Sequence, residues 1–351
     1  MGLPVDCELE LFAKWPSGRR NLITDVPGVL VGHVTLNEGD VHTGVTAILP
    51  HAGNLFKDKV MAASYVINGF GKSTGLVQID ELGTIESPIL LTNTLSVGTA
   101  MTALTRHMLS ENTDIGVTTG SVNCVVTECN DGRLNDIRGL HIEEKHVLDA
   151  LGNADVTFEE GCAGGGTGMC CLGLKGGIGS ASKIVSADGQ DYCIGALVMS
   201  NFGAPGNLVI GGKHYDTRKA RKTVAPENIP DRDQGSIIIV LATDLPLNER
   251  QLKRMAKRSA AALSRTGSYY GNGSGDIAIA FSTANRVPHY SDRSILETRM
   301  LYDDSMDMVF EATVEAVEEA IISSLYHAES TTGIRGNYAM GLREFLNKAP
   351  E

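Results

Sequence analysis

A serine preceded by a glycine, Gly235-Ser236, stands where a polar stretch gives way to an unbroken aliphatic run. Ser236 to Leu241 reads Ser-Ile-Ile-Ile-Val-Leu, too short to cross a membrane and β-branched enough for a strand buried on both faces. Lys213 to Gln234, just ahead, carries two prolines and ten charged side chains, the composition of a surface loop. If the chain breaks itself at this junction, Ser236 carries a hydroxyl and an α-amine on one residue. That is a nucleophile with its own base, the logic by which an N-terminal Thr or Ser can hydrolyse a bond. Taken alone, the segment reads first as an ordinary strand that begins with Ser, and the rest of the chain has to carry the stronger reading.

Five further residues have the right chemistry. Val125 to Cys129 reads as a strand that delivers Glu128 and Asn130 on one face before Asp131-Gly132 turns the chain. There Glu128 can hold a cationic group through a charge-assisted hydrogen bond, or the cluster can simply satisfy its own turn. Asn201 ends a strand over Tyr192 to Ser200 and precedes Phe202-Gly203, so its amide either points into a cavity or caps the turn. Ser274 and Asp276 lie two apart in a loop, Tyr269 to Asp276, that feeds a strand from Ile277 to Phe281. Gly273-Ser274 is also a second Gly-Ser step, and so a rival cleavage point.

The glycine-dense run from Gly161 to Lys183 invites a phosphate-loop reading, which fails on inspection. Gly168 and Gly173 have the Walker gap, but Leu174 precedes Lys175 and Gly176 follows it. Gly166 and Gly168 open a dinucleotide fingerprint, but Cys171 stands where the third Gly belongs. Glycines at this density serve close approach of the backbone to a small substrate or to a neighbouring element.

A net charge of -12 gives nucleic-acid binding no electrostatic support. No apolar run is long enough for a membrane helix, and Met1 to Arg20 lacks a signal-peptide pattern, so a cytoplasmic protein is expected. Seven cysteines without a C-x-x-C pair argue for buried thiols, and the scattered histidines argue against a metal site. No cofactor is expected.

The elements that position these residues alternate along the chain. Strands are expected after Pro27-Gly28 and over His42 to Pro50 and Pro88 to Thr92, with a helix over Thr99 to Met108. A second helix is expected over His141 to Leu151, with Gly152 just past its end. Asn248 and Gln251 form a capping box for a helix burying Leu252, Met255, Ala256, Ala260 and Leu263. A last long helix starts near Ser305 and buries Phe310, Val314, Val317, Ile321 and Leu325. One α+β domain over residues 1–351 follows, since nothing in the composition marks a linker.

With these segments laid out, the chain resembles the L-aminopeptidase/D-Ala-esterase family, which includes the β-peptidyl aminopeptidases. An ordered series carries the resemblance: Ile23 to Gly28, Thr43 to Thr46, Asn68 to Gly71, Leu91 to Thr94, Asn130 to Gly132, Leu134 to Asp136 and Gly164 to Met169. Lys175 to Gly179, Asn201 to Gly203, Gly235-Ser236 and Asn272 to Asp276 complete it. The resemblance implies a four-layer αββα sandwich and self-cleavage at Gly235-Ser236, leaving pieces 1–235 and 236–351. It also implies assembly into a homo-oligomer, a tetramer of αβ units. It makes Ser236 the nucleophile and Asn201 the oxyanion-hole residue, matches Ser274 and Asp276 to a Ser-x-Glu pair, and makes Glu128 the holder of the substrate's free amine. The implied substrate is a small peptide or amino-acid amide. Two positions depart from the pattern: Asp276 is one methylene shorter than Glu, and Asn130 stands where some members carry a pocket Tyr.

Two other readings stand beside this one. An acyltransferase of the ornithine acetyltransferase type would share the broad fold, but its nucleophile is Thr where this chain has Ser236. An uncleaved, non-enzymatic binding or assembly protein is the other.

Overall fold

The Ile and Val residues around 237–240 alternate between two hydrophobic layers, and that alternation organises the molecule. The computed structural model describes residues 11–222 and 234–348. In chain order its main strands are β1 (Leu30–Glu38), β2 (Val41–Leu49), β3 (Asp58–Gly69), β4 (Thr84–Ile85), β5 (Ile89–Asn93) and β6 (Val125–Cys129). They continue with β7 (Gly177–Ala187), β8 (Gln190–Asn201), β9 (Gln234–Thr243) and β10 (Gly273–Pro288). The main helices are α1 (Val97–Glu111), α2 (Glu144–Gly152), α3 (Glu249–Arg265) and α4 (Met306–His327).

The strands form a four-stranded sheet in the order β1-β2-β5-β6 and a six-stranded sheet in the order β4-β3-β10-β9-β8-β7. Within the larger sheet β9 runs parallel to β10 and antiparallel to β8. Ile238, Val240, Leu197, Met199, Ile277 and Ile279 pack against Val31, Ile48, Ile89, Leu91 and Val125 of the smaller sheet. The opposite face of the larger sheet, with Ile237, Ile239, Leu241, Val198, Ala278 and Ala280, packs on α3 and α4. The outer face of the smaller sheet, through Val45, Ala47, Leu90 and Val126, packs on Ala100 and Leu104 of α1 and Val147 and Ala150 of α2. Three apolar layers between four structural layers make the αββα sandwich. Each fully buried Ile or Val in them is worth roughly 1.5–3 kcal/mol of transfer free energy.

Several sequence expectations meet the structure here. The capping box at Asn248 forms, its side chain accepting from Gln251 N at 2.9 Å, although Ala260 of that helix is only partly buried. Met101 of α1 points to solvent while Ala100, Leu104 and Met108 are buried. Gly152 is not the C′ residue: it is the last residue of α2, and Asn153 follows with an ordinary negative φ of -85°. Ser274 and Asp276 lie inside β10, not in a loop before it, because the strand begins at Gly273. β3 and β7 were not expected at all. The stretch 213–234 contains short strands and a 3-10 turn at its start, and residues 223–233 fall outside the described part. No helix of the described residues is long and apolar enough to cross a membrane.

The glycine-dense run is explained by contact with its neighbours. A Cβ on Gly168 would sit 2.2 Å from the His42 carbonyl oxygen, and one on Gly166 would sit 2.4 Å from Ile178 N. Lys175, without measurable exposure, donates from Nζ to the carbonyls of Gly166 (3.2 Å) and Gly176 (2.7 Å), which ties the run together.

Candidate active site

Strand register brings the central pair together. Ser236 is the partner of Asn201 across the antiparallel β8–β9 ladder and of Gly275 across the parallel β9–β10 ladder. Register partners share a face, and directly opposite Cβ atoms on an antiparallel pair are about 5 Å apart. Ser236 and Asn201 therefore project together, on the same side as Ile238 and Met199, toward the gap between the sheets.

Gly275 leaves room for them. A Cβ there would lie 3.0 Å from Ser236 Oγ and 2.5 Å from the Phe70 carbonyl oxygen. Gly235 answers a similar need, since a Cβ would fall 1.9 Å from the Asn201 carbonyl oxygen. No side chain can replace that hydrogen without moving the backbone. The Ser236 hydroxyl donates to the Gly235 carbonyl oxygen at 2.6 Å, so it lies against the very peptide group whose scission the sequence suggests.

The Asn201 amide is fixed at both ends. Its Oδ1 accepts from Cys170 N at 2.8 Å and its Nδ2 donates to the Asn130 carbonyl at 3.0 Å. An amide NH₂ has two hydrogens, so this arrangement leaves the second to point along a set direction.

Glu128, 3 % exposed, accepts from Lys72 N at 2.9 Å through Oε1 and from the Thr94 hydroxyl through Oε2. Asn93 caps the turn that carries Thr94, accepting from Leu95 N and Ser96 N at 3.1 Å. The expectation that Glu128 and Asn130 share a strand face fails, because β6 ends at Cys129. Asn130 lies one residue beyond, and its side chain accepts from Gly132 N at 2.9 Å in a local turn. What it gives Asn201 is its main-chain carbonyl.

These groups line one cavity of about 460 Å³: Glu128, Thr94 and Lys72 with Phe70, and Ser236, Gly235, Gly273, Asn201, Asn130 and Arg133. Sequence reasoning missed Lys72, Thr94 and Arg133. Thr94 was visible as the end of the Leu91-Thr92-Asn93-Thr94 series, whereas Lys72 contributes through its backbone, which side-chain chemistry does not reveal.

Ser274 and Asp276 are fully buried and linked, Ser274 Oγ donating to Asp276 Oδ1 at 2.6 Å. The shorter carboxylate thus reaches its serine. They do not line the cavity. Their register partners are Gly235 and Ile237, so they occupy the helix-facing side of the sheet, opposite the Ser236 hydroxyl. The Ser236 main-chain nitrogen lies in the plane between the two faces.

Two neighbours have shifted acidity. Burial pushes the Asp131 carboxyl up to about 6, against the hydrogen bonds from Thr43 and Asn135 that favour its ionised form. Burial pushes the Cys129 thiol well above its ordinary range, with the Glu128 and Asp276 charges adding to it. A thiol so disfavoured as thiolate is a packing group, not a competing nucleophile. Among the described residues Cys124, Cys129, Cys162 and Cys193 carry free thiols, Cys7 lies outside them, and no cluster of metal-ligating side chains occurs.

Residues 21–339 match peptidase family S58. The chain belongs to that family. The S58 relatives extend over nearly its whole length. It is 40% identical to the β-peptidyl aminopeptidase BapA of Sphingosinicella microcystinivorans over 345 residues, 93% of this chain and 86% of the relative. The PH0078 protein of Pyrococcus horikoshii OT3 superposes with a TM-score of 0.89 at 51% identity, covering 97% of this chain and 96% of that one. The L-aminopeptidase D-Ala-esterase/amidase of Ochrobactrum anthropi, described as a new variant of the Ntn hydrolase fold, superposes with a TM-score of 0.85 at 37% identity. That match covers 97% of this chain and 98% of the neighbour. The family resemblance read from the sequence and the sandwich expected from it are both borne out.

Proposed function

We propose that this S58 chain is a self-processing serine aminopeptidase in which Ser236 is first the agent of its own release and then the catalytic nucleophile. The observation that carries the reading is the register of Ser236 with Asn201 at a cavity whose buried carboxylate is Glu128.

In the first stage Ser236 Oγ adds to the Gly235 carbonyl carbon, and the C–N bond then breaks as the nitrogen takes up the hydroxyl proton. Gly235 is left as an ester on Oγ. Water hydrolyses that ester, giving a Gly235 carboxylate and a Ser236 with free hydroxyl and free α-amine. The contact of the hydroxyl with the Gly235 carbonyl supports this step.

In the second stage the α-amine serves as base. A free α-amino group has a pKa of about 7.7–8.0, so a useful fraction is neutral near neutral pH. It takes the Ser236 proton as Oγ attacks the substrate carbonyl, and the Asn201 Nδ2 steadies the developing oxyanion. The proton then passes to the departing amine, and water hydrolyses the acyl ester. Ser274 spends its own hydrogen on Asp276, so its oxygen is left as an acceptor that orients the α-amine from the far face. Glu128 pairs with the substrate's ammonium, which restricts cleavage to the first residue of short peptides, amides or esters. Asn130 supports Asn201 from behind. Assembly of the αβ units into a homo-oligomer, and action in the cytoplasm, belong to the same reading.

Intact mass of the purified protein tests the first stage: pieces 1–235 and 236–351 are expected. A small piece beginning Ser-Gly-Asp would move the cut to Ser274, and a single full-length species would favour a binding protein. Ser236→Ala should remain one chain, folded, without activity on an alanyl p-nitroanilide.

A further inference from the structure

Glu128 is a buried carboxylate whose partners among the described residues are all neutral. It accepts from the Lys72 peptide N–H and from the Thr94 hydroxyl. The Lys72 ammonium makes no ion pair with it and lies instead 5.0 Å from the Phe70 ring centroid. Buried charges are ordinarily paired with opposite ones, so this end of the cavity suits a cation supplied by the substrate.

Thr94 is the side chain that meets Glu128 at the cavity wall. It follows β5 directly, and Asn93 fixes its position. The Asn93 side chain, itself buried, accepts from Leu95 N and Ser96 N at 3.1 Å and donates from Nδ2 to Thr43 Oγ1 at 2.8 Å. A hydroxyl has one hydrogen and two lone pairs. Thr94 spends its hydrogen on Glu128, so its oxygen is left to the cavity as an acceptor. The nucleophile is close by. A Cβ on Gly71 would sit 3.4 Å from Glu128 Oε1 and 4.0 Å from Gly275 Cα, and Gly275 adjoins Ser236 Oγ. Two fixed acceptors suit an ammonium, which has three hydrogens to give.

We propose that Thr94 is a second ligand of the substrate's ammonium, its hydroxyl oxygen accepting one N–H while Glu128 accepts another. The proposal rests on the aminopeptidase reading and adds a specificity-determining residue to its amine site.

The test measures kcat and KM for alanyl p-nitroanilide on the self-processed parent, Thr94→Val, Thr94→Ser, Glu128→Gln and the Glu128→Gln/Thr94→Val double variant. Thr94→Val keeps the shape and removes the oxygen. It should raise KM about tenfold, the usual strength of a hydrogen bond to a charged group, with a smaller change in kcat and fragments formed at the parent rate. Thr94→Ser restores the hydroxyl and should return KM close to the parent value. In the Glu128→Gln background Thr94→Val should still raise KM, because the oxygen touches the ammonium itself. An effect that vanishes there would make Thr94 a positioning residue for Glu128 and overturn the direct contact. A KM unchanged in Thr94→Val while Glu128→Gln raises it overturns the Thr94 contact and leaves the aminopeptidase reading intact. Thr94→Ala serves if the valine variant does not fold, and loss of self-cleavage in both would assign the hydroxyl to the fold and overturn the proposal. A KM unmoved in Glu128→Gln removes the amine site and the proposal with it.

Discussion

Asn201 and Ser236 face each other across adjacent antiparallel strands, and the Asn201 amide plane is held by Cys170 N on one side and the Asn130 carbonyl on the other. A donor fixed before the reaction begins stabilises charge without reorganising. Removing such a donor typically costs about 10²–10³ in rate. Asn201→Asp keeps an acceptor for Cys170 and loses the donor, so kcat should fall by that order with a smaller change in KM. Steady-state kinetics on an alanyl p-nitroanilide measures it.

Gly275 is expected to tolerate no side chain. The Cβ of Gly275→Ala would press on Ser236 Oγ and on the Phe70 carbonyl at once. Relieving the overlap requires a backbone shift, at a cost of roughly 1–3 kcal/mol. Self-cleavage and substrate turnover should both slow at least about tenfold, read from the time course of fragment appearance and from initial rates. A fully active Gly275→Ala would contradict the placement of the nucleophile.

Glu128→Gln separates the two stages. The precursor presents no free amine at Gly235, so fragments should form at the parent rate. Turnover of free-amine amides should fall about ten- to a hundredfold, the value of a charge-assisted hydrogen bond of roughly 1.5–3 kcal/mol. N-acetylated substrates should be poor for both proteins. Equal rates on free and acetylated substrates with the parent would remove the role assigned to Glu128.

Asp131 gives a pH signature. Its folded-state pKa, about 6, lies above the ordinary 3.8, so the folded protein binds its proton more tightly than the unfolded chain does. The stabilisation from protonation is fully present below pH 3.8 and is lost as pH rises through 6. Two pKa units correspond to roughly 3 kcal/mol. Relative to Asp131→Asn, the parent should therefore gain thermal stability between pH 7 and pH 4, and the difference in Tm should level off beyond either limit. Parallel melting curves would show a wrong assignment.

How legible each part was depends on the range of the interaction that decides it. The β-branched run at 237–240 has one plausible structure, and the Asn248 capping box is written in four adjacent residues. β7 was invisible because Gly-Ile-Gly-Ser-Ala-Ser-Lys shows no apolar period. Its small residues are chosen for α4, which lies so close that a Cβ on Gly179 would be 2.1 Å from the Ala320 carbonyl oxygen. β3 was missed because its apolar residues fall on both faces, with Val60 and Ala62 in one core layer and Ala63 in another. Ser274 and Asp276 were read into a loop because Gly271 to Gly275 looks like one, and the face they occupy depends on pairing with β9 more than thirty residues earlier. The brace on Asn201 is a main-chain carbonyl, and no side-chain motif announces it.

The position of β9 and β10 in the larger sheet changes what unfolding means for a cut molecule. Both strands would belong to the 236–351 piece, and they lie side by side between β3 and β8, which belong to the other. The pieces would then form a heterodimer whose interface is the hydrophobic core, with main-chain ladders on both flanks. Its melting would include a dissociation of the two pieces, so Tm would rise more steeply with protein concentration than that of uncut Ser236→Ala. Refolding from denaturant would become a second-order reaction between two chains, so the active form is most readily reached by folding first and cutting afterwards.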